Sequence, residues 1–163
     1  MSIVYLPHTQ GYLDITFGPK WDYIHLTKNY VENFLETNLV DKHHINKITM
    51  SASELLENAI TYSHKEGVRV KIKKDMDNNI IQLSVYNYTT KEHANYLINY
   101  IRDMKNKDPM QYYINKVKES IKYDKGESKL GIPRINYEGQ AQDIEVKFFE
   151  EEEVVVINVI FNI

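Results

Sequence analysis

The sequence predicts an α+β fold, a two-layer α/β sandwich with helices laid over a sheet. Three observations predict it. Apolar residues recur at helical spacing in several segments and switch to strict two-residue alternation in others. The alternating stretches come in adjacent pairs divided by turn residues, the pattern of hairpins. Helices cluster between those hairpins, where a doubly wound parallel sheet would alternate one strand with one helix. The 163 residues show no linker, repeat or low-complexity tract and read as a single domain, 1–163, long enough to bury a core.

Short strand-like pieces occupy residues 3–6 and 12–17, punctuated by Pro7, Gly11, Gly18 and Pro19. Thr27 is placed to cap a helix whose apolar positions are Tyr30, Val31, Phe34 and Leu35. A polar break, Val40-Asp41-Lys42-His43-His44, precedes a longer helix ending near His64. Its Ile45, Ile48, Ala52, Leu55, Leu56 and Ala59 share one face. The period then becomes two: Val68, Val70 and Ile72 alternate with Arg69, Lys71 and Lys73. Turn residues 75–79 lead into a partner strand at 80–86. Ala94, Leu97, Ile98, Ile101 and Met104 form the next helical stripe. Asp108 before Pro109 opens another, with Met110, Tyr113, Ile114, Val117 and Ile121 as its apolar face. A Lys/Gly/Glu/Ser loop spans 125–129. The chain closes with a second hairpin in which Ile144, Val146 and Phe148 alternate, 150–153 turn, and 154–161 run almost continuously apolar. Such a strand belongs inside a sheet, with helices over at least one face.

Composition excludes several classes of function. A net charge of −3 argues against a nucleic-acid binder, which would concentrate basic residues. The absence of cysteine removes disulfides, thiolate catalysis and cysteine-based zinc sites. No apolar run approaches the roughly 20 residues of a membrane helix, and the N-terminus lacks a secretory pattern. The expectation is a soluble cytoplasmic protein. His25, His43, His44, His64 and His93 show no zinc-site spacing, and no Gly-x-Ser-x-Gly elbow supports a hydrolase. Arg69, Lys71, Lys73 and Lys74 read as the solvent face of a strand, and the acidic run 150–153 as a solvated turn.

The chemistry concentrates on the helix before the first hairpin. Glu54 and Asn58 lie one turn apart and are surface neighbours, and Ser51 and Thr61 extend the same polar edge. A carboxamide oxygen suits magnesium, which takes oxygen ligands and keeps several waters when it is shared with a phosphate. A carboxylate one turn away can orient or deprotonate a hydroxyl beside that phosphate.

The segment Glu54-Leu55-Leu56-Glu57-Asn58-Ala59-Ile60-Thr61-Tyr62-Ser63 resembles the N-box of the GHKL superfamily, the ATP-binding domains of gyrase, MutL and the histidine kinases. Its flavour is that of the compact bacterial members, the anti-sigma-factor serine kinases and their regulatory relatives. From about residue 45 onward the order also matches: N-box helix, hairpin, helical lid, glycine-containing loop, terminal hairpin. The resemblance implies a Bergerat-type sandwich, helices over a mixed sheet, with ATP between the N-box helix and a lid drawn from 89–129. It implies Asn58 as the Mg²⁺ ligand and Glu54 as general base. The partner it implies is a small bacterial regulatory protein similar to an anti-sigma-factor antagonist, in a partner-switching circuit. It leaves room for a homodimer.

Two boxes depart from the family pattern. Where the family has D-x-G-x-G, this chain has Asn87-Tyr88-Thr89-Thr90-Lys91. Asn87 can accept a bond from the adenine amino group only without charge, which costs about 1.5–3 kcal/mol of a charge-assisted contact. The phosphate-loop pattern G-x-G-L-G-L meets Glu127-Ser128-Lys129-Leu130-Gly131-Ile132. Gly131, leading into a short helix, offers backbone N–H groups to a phosphate; Lys129 and Arg134 add positive charge there, while Glu127 repels. Two readings therefore stand together: an ATP-binding regulator, with serine/threonine kinase activity, favoured by the intact N-box; and a non-catalytic interaction module on the same fold, favoured by the altered boxes.

Overall fold

In this computed structural model residues 10–18, 20–65, 67–122 and 130–163 are described. The strand expected at 3–6 and the loop at 125–129 lie outside them. The alternating segments form β1 (Gln10–Phe17), β2 (Val68–Asp75), β3 (Ile80–Tyr88), β4 (Asp143–Phe149) and β5 (Val154–Asn162). They make one five-stranded sheet in the order β1-β2-β3-β5-β4. Both expected hairpins are present, and the apolar strand β5 lies inside the sheet between β3 and β4. Asp75 closes the first turn by accepting from the backbone N–H of Asp77 (3.0 Å) and Asn78 (3.3 Å).

Every neighbouring pair among these strands is antiparallel, which corrects the expectation of a mixed sheet. The reason lies in the connections. A single-helix crossover returns the chain parallel. Between β1 and β2, however, two helices intervene, α1 (Asp22–Thr37) and α2 (Lys42–Tyr62), and the pair reverses the chain once more. Between β3 and β4 run α3 (Lys91–Lys105), α4 (Pro109–Lys122) and α5 (Gly131–Tyr137).

Alternation assigns the two faces. Val68, Val70, Ile72, Ile81, Leu83, Val85, Ile144, Val155, Ile157, Val159 and Phe161 are buried on the helix side. Against them pack Ile45, Ile48, Ala52, Leu55, Leu56 and Ala59, the α2 face that helical spacing predicts. Burying a side chain such as Leu56 contributes about 1.5–3 kcal/mol. Arg69, Lys71 and Lys73 alternate onto the opposite face, but Lys74 does not. It turns to the helix side, where its ammonium donates to the Asn38 carbonyl at the end of α1 (2.7 Å). At the centre of that opposite face the Ser84 hydroxyl donates to Asn158 Oδ1 (2.6 Å), which satisfies two buried polar groups across β3 and β5.

Helix ends and one helix face differ from the sequence expectation. α1 begins at Asp22, so Thr27 does not cap it; Thr27 is buried inside the helix, in a stripe with Val31 and Leu35. The polar break does contain a cap, because Asp41 Oδ1 accepts from the N–H of His43 (3.1 Å) and His44 (3.2 Å) and starts α2 at Lys42. Asp108 caps α4 as expected, accepting from Gln111 N–H (2.9 Å). The apolar stripe of α4, in contrast, is not core. Tyr112 alone is buried, set edge-on to the Tyr100 ring; Met110, Ile114 and Ile121 are exposed, while Val117 and Tyr113, whose ring lies 5.6 Å from that of Tyr137 in α5, are half-buried. No helix among the described residues is long and apolar enough to cross a membrane.

Arg69 grips Asp14 with two hydrogen bonds across β1 and β2, at 2.8 and 2.6 Å. Those bonds, and then the guanidinium charge, hold the Asp14 carboxyl below its ordinary value. A depressed carboxylate stabilises the fold above its unfolded pKa of 3.8, and that contribution is lost as pH falls through the folded value. Asp14→Asn should therefore flatten the acid limb of a stability–pH curve below about pH 4. At neutral pH it should cost only about 0.5 kcal/mol, as for other part-exposed pairs. Urea midpoints measured across that range test this; an unchanged acid limb would remove the pair from acid sensitivity.

Candidate functional site

The register of α2 places Ser51, Glu54, Asn58 and Thr61 in sequence along one edge. They differ in environment. Ser51 is fully buried, Glu54 and Asn58 are half-buried, and Thr61 is exposed. The edge emerges from beneath α5 into solvent as it approaches the C-terminal end of the helix.

The expectation of Ser51 on an open polar edge is corrected by its packing. Its hydroxyl folds back to donate to the Lys47 carbonyl (2.8 Å), a bond that lets a serine lie inside a helix contact. Gly139, just past α5, sits directly on it: a Cβ there would lie 2.7 Å from Ser51 Oγ and 2.5 Å from the Ile135 carbonyl oxygen. The Lys47 ammonium also reaches the Gln140 side chain, fastening the same junction.

Glu54 meets the beginning of α5. Its Oε1 accepts from Arg134 Nη1 at 2.7 Å, while Arg134 Nε donates to Glu138 at 2.6 Å. Its Oε2 lies 2.9 Å from where a Cβ on Gly131 would sit, so only glycine leaves the carboxylate room there. The negative group thus rests beside the first turn of α5, the positive end of a helix. The two carboxylates raise the Arg134 pKa above its ordinary value. One turn on, burial chiefly, and then the Glu54 charge, pushes the Glu57 carboxyl up, with Arg134 offsetting part of the effect.

Asn58 is different in kind. Among the described residues its carboxamide makes no hydrogen bond, and it is half-buried. Asn87 lies at the end of β3, buried on the helix-facing side, with its Nδ2 donating to the Tyr88 carbonyl (3.1 Å). Two bonds tie this strand end to the end of α2: His64 N–H to the Tyr88 carbonyl (3.4 Å) and the Thr89 hydroxyl to the Tyr62 carbonyl (3.5 Å). The structure therefore brings Asn87 to the same end of α2 as Asn58 and Thr61. Thr89 is buried and Thr90 caps α3, accepting from His93 N–H (3.2 Å), so the chain turns into a helix where the family pattern has glycines. Gly131 and Arg134 reach Glu54; Lys129 lies outside the described residues.

Sequence reasoning missed an aromatic stack beside this edge. The Tyr62 and His93 rings stack with centroids 4.1 Å apart, and Tyr96 follows on His93 at 6.1 Å. Among the described residues His93 Nε2 is buried without a hydrogen-bond partner, and desolvation lowers its pKa. The spacing of His93, Tyr96 and Tyr100 on one face of α3 is the signal that could have found it.

Elsewhere, a cavity of about 340 Å³ between α3 and α4 is lined by charges that already pair with one another, Lys107 with Asp103 (2.8 Å) and Lys116 with Glu119 (3.0 Å). Among the described residues no three His, Asp or Glu side chains form a metal-holding cluster.

Neither a family model nor a curated relative matches the sequence. Among solved structures, the fold is similar to that of a chain in the crystal structure of the SiaB–SiaC complex from Pseudomonas aeruginosa. The TM-score is 0.67 at 14% identity, covering 91% of this chain and 88% of that chain. At that identity the likeness is one of fold.

Proposed function

We propose that this chain is an ATP-binding regulator of the GHKL type that acts on a protein partner, transferring a phosphoryl group to a serine or threonine hydroxyl. The observation that carries the reading is the α2 edge: Asn58, without a hydrogen bond among the described residues, one turn from a Glu54 that Arg134 and Gly131 hold in place. The fold likeness to a chain crystallised in a two-protein complex supports a regulatory role with a partner. The partner would be a small regulatory protein of the anti-sigma-antagonist kind.

The donor chemistry fits Mg²⁺, since a free carboxamide oxygen is available and ATP phosphates and water supply the remaining oxygens. Bound Mg²⁺ would neutralise charge on the phosphates as the phosphoryl group moves. The residues divide the remaining work. Asn58 Oδ1 would hold the ion. Asn87 would accept from the adenine amino group, uncharged. Arg134 keeps Glu54 Oε1 fixed, so that Oε2 is left to orient a partner hydroxyl and take its proton. Thr61 borders the edge in solvent, and Lys129 would add charge to the phosphate loop. Ser51, proposed from sequence as a contact, is covered by Gly139 in this conformation, and its part is to seat α5.

The second reading, an interaction module without catalysis, draws on the same ion pair. With Arg134 shared between Glu54 and Glu138, the cation is already committed and the carboxylate already satisfied. Turnover separates the two. Glu54→Gln should bind Mg-ATP like the parent but lose transfer by about 10²–10⁴-fold, the usual contribution of a general base. Transfer of radiolabelled phosphate to a purified partner protein is the measurement; equal turnover in both proteins would take Glu54 out of the mechanism.

A further inference from the structure

Among the described residues the apolar stripe of α4 is only partly covered: α5 lies along one flank, where the Tyr113 and Tyr137 rings meet at 5.6 Å and Val117 is half-buried, and the rest is open. Met110, Ile114, Val117 and Ile121 follow one another at steps of four, three and four residues, the seam of a two-stranded coiled coil, with isoleucine at both a-type positions. Residues two apart on a helix project about 200° from one another. Buried Tyr112, packed on Tyr100, therefore fixes the seam on the side of α4 opposite α3. Met110 is 46% exposed, Ile114 36% and Ile121 76%.

Charge says what fits there. Lys118 borders the seam between Ile114 and Ile121, and Lys122 follows one turn on. Among the described residues neither pairs with a carboxylate, whereas Lys107 and Lys116, on the inner side, both do. The positions flanking the seam are Gln111, Tyr113, Lys118 and Ser120, without a single carboxylate. A second copy of α4 would bring no acidic group to Lys118. Nor does the seam suit a lipid surface: it is a narrow a/d line, not the broad apolar arc of an interfacial helix.

We propose that α4 is a docking helix for a partner protein that presents an amphipathic helix with an apolar stripe bordered by glutamate or aspartate. This surface shares no residue with the Asn58 edge of α2.

The probe is a fluorescein-labelled synthetic helix of about three heptads with leucine at a and d and glutamate at e and g, beside a twin carrying lysine at e and g. Both are titrated into the full chain by anisotropy, with and without Mg-ATP. The acidic helix should bind at least about tenfold more tightly than its lysine twin. Ile114→Asp should weaken it by about tenfold or more, while circular dichroism shows the helix content retained. The double variant Lys118→Glu/Lys122→Glu should reverse the preference. The proposal is overturned if the acidic helix fails to bind, if both helices bind alike, or if Ile114→Asp changes nothing. It is equally overturned if light scattering shows a dimer lost in Ile114→Asp, or if the protein sediments with phosphatidylglycerol vesicles through Ile114. Loss of ATP binding in Asn58→Ala leaves all these outcomes where they are, so the two readings fail separately.

Discussion

Asn58→Ala should abolish Mg²⁺-dependent ATP binding while the fold stays intact. Stability is spared for two reasons. The carboxamide is half-buried and makes no hydrogen bond among the described residues, so its removal orphans no partner. Alanine is also the better helix former, by several tenths of a kcal/mol. Binding is not spared. If Asn58 supplies the protein's oxygen to the ion, the affinity for Mg-ATP should fall by at least about a hundredfold, or about 2.7 kcal/mol. Affinity for ATP without the ion should change little. Asn58→Asp retains an oxygen at the same position and should recover part of the loss, which a purely steric role would not allow. Calorimetric titration of parent and variants, each with and without Mg²⁺, gives the answer. If Asn58→Ala binds Mg-ATP as the parent does, the residue is not the ligand. If the parent itself does not bind at millimolar ATP, the interaction-module reading takes over.

Much of the fold was legible because it rests on periodicity. The α2 face from Ile45 to Ala59, the alternation of β2 and the unbroken apolar run of β5 each bury what their spacing implies. Local rules failed where a residue had two uses. Thr27 is a good cap by type, but it sits in line with Val31 and Leu35, and burial in that stripe outweighs capping. α4 failed in the opposite way. Its stripe is a correct reading of amphipathicity, yet periodicity says only that a face wants cover, not that this chain provides it.

The site was legible along α2 and opaque across it. The one-turn spacing of Glu54 and Asn58 follows from the helix. That Glu54 would meet Arg134, 80 residues later, depends on how α5 lies over α2, which no local pattern encodes. Arg134 reads in sequence as a cation for phosphate; the fold gives it two carboxylates first. Glycine carries the rest of the explanation. Gly131 reads in sequence as part of a phosphate loop, and Gly139 reads as nothing. In the structure both are places where α2 side chains touch the α5 segment too closely for a Cβ.

That contact makes Gly139→Ala the substitution with the largest expected effect on stability. A methyl group there would stand 2.5 Å from the Ile135 carbonyl oxygen and 2.7 Å from Ser51 Oγ. The serine could turn away, at the cost of its bond to the Lys47 carbonyl. The Ile135 oxygen belongs to the backbone of α5 and cannot move without it. Overpacking of this kind costs about 1–3 kcal/mol. In a chain of this size that amounts to a melting temperature lower by roughly 2–12 °C. The strain should lift α5 from α2, so Arg134 should lose its hold on Glu54, and the proposed transfer activity should decline along with stability. Two comparisons isolate the cause. Adding Ser51→Ala to Gly139→Ala should restore only part of the loss, because the carbonyl contact remains. Gly131→Ala meets only the flexible end of Glu54, 2.9 Å away, and should cost less than about 1 kcal/mol while still displacing the carboxylate. Thermal unfolding of the four proteins settles the point: if Gly139→Ala melts with the parent, α5 is not seated on Ser51 as described, and the ion pair must be held by Arg134 and Glu138 alone.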